Sequence, residues 1–311
     1  MKILSRDGFQ QARAYLVDKA RLLEWAIFRH DLEGGDVAQV WTEMAAYQNP
    51  DGGFGQGLEP DLRTPSSSAL ATGMALHKLK ESGCSADHTL VQKAVAYLLD
   101  SCDQERSVWR VVPPDANRYP HAPWWHDEDG SLENAFDSFR IIPRVLILAA
   151  LNHYASLVPG DWLDSITQKA VRYIEQVDVL GEGGGSDLEY AIKLAETENL
   201  PDDYAVRLRS RIKEAIPDVV VGDQALWDTY CIKPLGVVPA PDALGAELIM
   251  NEIEDHLDYK VEHQAPGGYW GPTWTWGENY PDVWPQVRQE WRGILTLDTL
   301  KQLRAFGRLE S

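Results

Sequence analysis

Apolar residues recur at helical spacing along most of this chain, and the strict alternation of a half-buried strand is nearly absent. Phe9, Ala12, Leu16, Ala20, Leu23 and Ile27 form one stripe, ended by Gly34-Gly35. Asp36 opens a second helix with Gln39 three residues on as a capping box, and Val37, Val40, Trp41 and Met44 make its face. A third helix is predicted from Ser66–Ser68 to about Ser82; it is apolar nearly all round and so expected to be buried on every side. A fourth follows Asp87, with Val91, Ala94, Val95 and Leu98 aligned. Further helices near 133–156, 160–177, 186–198, 202–216, 223–232, 241–259 and 286–304 bring the predicted total to eleven.

The links between these helices alternate in kind. Those after odd-numbered helices are mostly short (33–36, 82–87, 156–161, 198–202 and a longer 232–241), whereas those after even-numbered ones are long or glycine-rich (49–66, 102–133, 177–186, 217–223 and 260–286). In a ring of hairpins alternate helices form an inner and an outer layer, and each class of link collects on one rim. The expected fold is therefore all-α: an α/α toroid, or six-hairpin α/α barrel, built as a single domain over residues 1–311. Its Gly- and Trp-rich loops crowd the rim above the N-terminal ends of the odd, inner helices. Long loops in compact proteins usually carry function, which makes that rim the expected working face.

Bulk composition narrows the possibilities. A net charge of -19 argues against nucleic acid, whose binding rests on cationic contacts to phosphates, and against anionic membrane surfaces. The N-terminal stretch is broken by charge every few residues, and no segment is apolar for long enough to span a bilayer, so no membrane insertion is expected. Cys84, Cys102 and Cys231 are scattered without paired or zinc-like spacing, which reads as reduced thiols in a cytoplasmic protein. Twelve Trp and twelve Tyr against six Phe favour aromatics with a polar tip, suited to polar pockets and stacking surfaces.

Two loops share a spacing. One reads Gln48-Asn49-Pro50-Asp51-Gly52-Gly53-Phe54 and precedes Ser66-Ser67-Ser68; the other reads Gln264-Ala265-Pro266-Gly267-Gly268-Tyr269-Trp270. Gly181 to Ser186 is a degenerate third copy. These resemble the Q-x-x-x-G-x-W/F repeats of the terpene cyclase and protein prenyltransferase superfamily. The resemblance implies an α/α toroid with a cavity opening at the inner-helix N-termini, and no particular reaction. The superfamily's reactive motifs are missing: Pro65-Ser66-Ser67-Ser68 stands where a DxDD acid is expected, no DDxxD is present, and Cys231 has no Asp-x-Cys partner for zinc.

The loops and inner-helix starts carry the candidate chemistry. Glu59, Asp61, His121, Asp127, Asp137, Asp187 and Glu290 are the candidate catalytic residues. Arg63, Trp124, Trp125, Arg140, Glu189, Trp270, Trp274, Trp276, Trp291 and Arg292 are the candidate substrate contacts. His121 and His126 flank two tryptophans in the longest loop, and imidazole is the side chain suited to proton transfer near neutral pH. Carboxylates beside aromatic platforms suit a carbohydrate or other hydroxylated small molecule, and paired carboxylates are the machinery of glycoside hydrolysis. Structural roles compete: Glu189 follows Ser186 at capping-box spacing, and Asp137 and Asp187 also suit helix N-termini. An enzyme doing acid–base chemistry in a polar, Trp-lined cavity is the first expectation, with no cofactor and no metal. A terpenoid cyclase with a non-standard acid and a non-catalytic binding or scaffold protein remain the alternatives.

Overall fold

A computed structural model describes residues 1–128, 141–181 and 186–310, and among them the protein is helical with almost no strand. The helices are α1 (Arg6–Lys19), α2 (Leu22–Glu33), α3 (Val37–Ala45), α4 (Ala69–Glu81), α5 (Thr89–Ser101), α6 (Arg144–His153), α7 (Gly160–Gln176), α8 (Ser186–Ala195), α9 (Asp202–Val219), α10 (Pro234–Val237), α11 (Met250–Glu262) and α12 (Trp284–Ala305). Two short strands, β1 (Cys102–Asp103) and β2 (Val108–Trp109), pair antiparallel after α5. None of these helices is long and apolar enough to cross a membrane. The contacts divide the chain into two compact units, one of Met1–Val40 with the chain from Lys213 onward, the other Trp41–Ile212.

In the second unit α4, α6 and α8 pack on one another in turn, while α5 and α7 back α4 and α6. The sequence explains the division. α6 is apolar from Val145 to Leu151 and is buried on all sides, including Arg144 and Asn152 at its ends. Burying Asn152 is offset by hydrogen bonds from its amide to Leu148 O and Thr167 Oγ1, at 2.9 and 3.0 Å. α7 instead carries a one-sided stripe, Leu163, Ile166, Ala170, Val171 and Ile174. Gly73 lets α4 approach α6, since a Cβ there would sit 3.2 Å from Ile147.

In the first unit α12 packs against α1 and α2. A parallel bridge between Leu4 and Leu309 holds the two ends of the chain together. Arg308, 1% exposed, binds Glu254, Asp258 and the Lys2 carbonyl beneath it.

Several boundaries differ from the sequence reading. The first apolar stripe is two helices, because the chain is extended at Ala20 and Arg21. Arg21 there clamps the fully buried Glu24 with two bonds of 2.7 Å, and Ala20 makes room for α12, whose Gly293 has no space for a Cβ against it. Residues 223–232 hold only the 3₁₀ turn Gln224–Leu226, α10 occupies a span read as a link, and the helix expected from 241 starts at Met250. The stretch 222–249 contains six glycines and prolines together with apolar residues that pack at turns, which blurs the 3.6-residue period. The expected helix 133–156 is observed as α6; residues 133–140 lie outside the described residues.

Candidate functional site

The two Q-x-x-x-G-x-aromatic segments build the same local structure, one in each unit. Gln48 Nε2 donates to Leu90 O in the first turn of α5 at 3.0 Å, and Gln264 Nε2 to Gly8 O in the first turn of α1 at 2.8 Å. Three residues further along those helices, Gly52 and Gly268 lie against backbone: an added Cβ would stand 2.5 Å from Lys93 O and 2.4 Å from Gln11 O. Both glycines have positive φ, +91° and +80°. The aromatic residue closes each turn. Phe54 N–H donates to Thr72 Oγ1 on α4 and Trp270 N–H to Thr296 Oγ1 on α12, at 2.9 and 3.1 Å, and both rings are buried. α1 therefore takes, against the later segment, the place that α5 takes against the earlier one.

In the second unit the loop leading into α4 is then fastened to the loop after β2. Asn49 pins it to Pro65 O and Ser67 Oγ at 2.9 Å. Gln56 and Gly57, both at positive φ, turn the chain so that Glu59 and Asp61 fall inside, 7% and 3% exposed. Arg63 N–H donates to Pro120 O and Ala122 N–H to Asp61 O, at 3.0 and 2.8 Å, on either side of a bridge between Leu62 and His121. Ser66 Oγ donates to Asp115 Oδ2 at 2.8 Å, a third tie between the loops.

These bonds hold a pair of histidines. His121 is 2% exposed, and its Nδ1 lies 2.6 Å from Tyr119 O. A carbonyl only accepts, so Nδ1 carries the proton and, in the neutral ring, Nε2 is an acceptor. His126 Nδ1, 2.8 Å away, then donates to it, and the rings stack at 5.1 Å with their planes 11° apart. His126 is exposed, and in this tautomer its Nε2 is the nitrogen that carries no proton. Asp127 is held by Arg110 at 2.6 Å, and Asn117 grips the Asp127 backbone from both sides, its amide donating to the carbonyl at 2.6 Å and accepting from the N–H at 3.0 Å. Trp124 is 43% exposed beside this group. Trp125 packs inward on Leu62, Leu70, Val111, Val112, Ala116 and Leu146. The turn also encloses a recess lined by Gly55, Gly57, Glu59, Leu62, Ser66 and Ser68, too narrow for a water molecule, so it is packing space.

No family model, no curated protein and no solved structure gives a significant match to this chain.

The structure thus gathers Glu59, Asp61, Arg63, His121, Trp124, Trp125 and Asp127 around two joined loops. Asp137 and Arg140 lie outside the described residues. Asp187, 8% exposed, accepts from the N–H groups of Gly181 and Leu188 at 2.9 and 3.0 Å, which is helix-terminus work. Glu189 pairs with Lys193 one turn on at 3.5 Å.

The remaining candidates belong to the first unit. Trp270 is buried with its indole N–H on Lys260 O at 2.9 Å, and Trp276 is fully buried against Tyr280 and Trp284, so neither offers an open stacking face. Trp274 and Trp291 are half-buried and meet edge to face at 5.0 Å. Arg292 lies over the Tyr269 ring, 4.3 Å from its centroid, and Glu290 accepts from Gln286 at 3.1 Å. Sequence reasoning did not single out Arg110, Asp115 and Asn117. They stand 17, 49 to 51, and 10 residues from their partners, and no local spacing announces such pairs. Among the described residues no group of three His, Cys, Asp or Glu is placed to hold a metal ion.

Proposed function

We propose that this protein is an enzyme performing acid–base chemistry on a carbohydrate or another hydroxylated small molecule at the joined loops of the second unit. The observation that carries the reading is the His121–His126 hydrogen bond of 2.8 Å, with the inner ring anchored on a backbone carbonyl and the outer ring exposed. Such a pair accepts a proton at His126 Nε2 while Nδ1–H keeps its bond to His121, and it returns the proton without rebuilding the site. The exposed Trp124 supports a substrate with C–H faces to stack on, and the Arg110–Asp127 pair supplies hydrogen-bonding groups beside it. As part of the same reading, the hairpins close into an α/α toroid related to the terpene cyclase and prenyltransferase superfamily, with α1 following α12 in the cyclic order. The matching geometry of the two glutamine–glycine–aromatic segments supports that relation. We place the protein in the cytoplasm on the same footing.

A panel of aryl glycosides and glycosiduronates, read by release of the aryl alcohol, tests the proposal. Turnover of at least one member is expected, falling about 100-fold or more in His126→Ala and in His121→Asn while the circular dichroism spectrum is kept. Turnover that survives both substitutions would remove the histidine pair from the chemistry, and an inert panel would remove the substrate class.

A further inference from the structure

The first unit holds a second polar group with a different character. Arg288 and Arg292 stand one turn apart on α12 and so share a face. In a chain with 48 acidic and 29 basic side chains, neither is ion-paired among the described residues. The Gly268 turn docks on the backbone of α1 and brings the Tyr269 ring to Tyr15, 4.8 Å between centroids. Arg292 lies over the same Tyr269 ring, its guanidinium carbon 4.3 Å from the centroid. Tyr15 Oη is buried beside the Arg292 guanidinium, and Arg292 Nε is buried without a hydrogen-bond partner among the described residues. Leaving a charged donor buried and unmatched costs more than leaving a neutral one, so the arrangement is explained better by a ligand that completes it. Tyr15, Tyr269 and Arg292 are all half-buried, which leaves that ligand a way in.

We propose that Tyr15, Arg288 and Arg292, on the floor of the Tyr269 ring, form a binding site for an oxyanion, the carboxylate or phosphate group of a small molecule. The planar guanidinium of Arg292 offers Nε–H alongside its terminal N–H groups, the fork that oxyanions accept in pairs. Arg288, exposed at the rim, supplies the second positive charge. The Tyr15 hydroxyl gives a neutral donor, and burial, against the pull of Arg292, holds it in its protonated form. This site stands apart from the acid–base reading, since all its residues belong to the first unit.

Inorganic phosphate and acetate, each titrated at constant ionic strength against chloride, distinguish the two sources of the group. Intrinsic fluorescence is the readout, because Trp291 adjoins Arg292 and Trp274 touches Trp291. Saturable binding of phosphate, of acetate or of both is expected. Affinity should fall about tenfold or more in Arg292→Gln and in Arg288→Gln, and several-fold in Tyr15→Phe. Arg288 is exposed, so its variant keeps the fold and reports on binding even where Arg292→Gln does not. No saturable response to either anion, or a response untouched by Arg288→Gln, would overturn the proposal.

Discussion

Among the described residues, two glycines meet two conformational demands at once. Gly52 and Gly268 combine a positive φ with an approach to backbone closer than any Cβ tolerates, and the atoms they would strike are peptide groups that cannot swing aside. Gly34 also has positive φ, +68°, but nothing lies within 4 Å of where its Cβ would be. Alanine at Gly34 is thus expected to cost about 1 kcal/mol from backbone strain alone. Alanine at Gly52 or Gly268 adds overpacking and should cost about 3 kcal/mol or more. Urea denaturation of the three variants checks this, and equal losses at Gly34 and Gly52 would refute the role given to the contact. Both glycines were visible in the sequence as members of a repeated spacing. What they press against was not, because Lys93 and Gln11 lie 41 and 257 residues away.

Helices and loops are coupled through single hydroxyls. Thr72 on α4 and Thr296 on α12 each accept the N–H of the aromatic residue that closes a repeat turn, at sites where water is excluded. Valine is nearly isosteric but offers no acceptor, so Thr72→Val and Thr296→Val should each lose about 1–3 kcal/mol by leaving a buried N–H unpaired. A denaturation midpoint unchanged in either variant would show that the N–H has another partner. At this scale the sequence reading was accurate where an apolar stripe was long and ended by a glycine or a cap, as for α4, whose N-cap Ser68 accepts from Ala71 N–H at 3.0 Å. It erred at residues 20–21, since no glycine or proline marks that break. There the local preference to continue the helix yields to the fit of Ala20 against Gly293 and to the clamp on Glu24. The histidine pair was half legible. Its loop stood out for its composition, but the bond between the rings depends on a bridge to Leu62, 59 residues earlier.

For the molecule as a whole, buried imidazoles set a pH limit on stability. Burial, with Lys193 nearby, pushes His77 down to about 4, and burial with Lys260 and Lys233 nearby pushes His256 down to about 2. Both rings are neutral in the fold: His77 Nε2–H donates to Leu146 O at 2.9 Å, and His256 Nδ1 accepts from Leu235 N–H at 3.2 Å. Unfolded, each binds a proton below the ordinary value of 6.5. The folded values are depressed, so this stability is complete above pH 6.5. It drains as pH falls towards 4 for His77 and towards 2 for His256, by about 1.4 kcal/mol per pH unit for each ring. Urea midpoints are expected to decline between pH 7 and pH 4.5, and His77→Gln, which keeps the donor to Leu146 O, should flatten that decline. A midpoint independent of pH over this range would contradict the burial of both rings.

Helical class, the burial of the third predicted helix, the absence of any bilayer-length apolar run and the recurrence of a glutamine–glycine–aromatic turn were all encoded in short-range spacing. An amphipathic period and a tight turn are properties of neighbouring residues, and they can be read a few positions at a time. Tertiary structure alone decided which of the candidate side chains became neighbours. It put Trp270 and Trp276 into packing, Asp187 onto backbone N–H groups, His121 onto His126, and Arg292 onto Tyr269 beside Tyr15. These outcomes depend on contacts between residues far apart in the chain and on the desolvation of charged and polar groups, and neither leaves a period in the sequence.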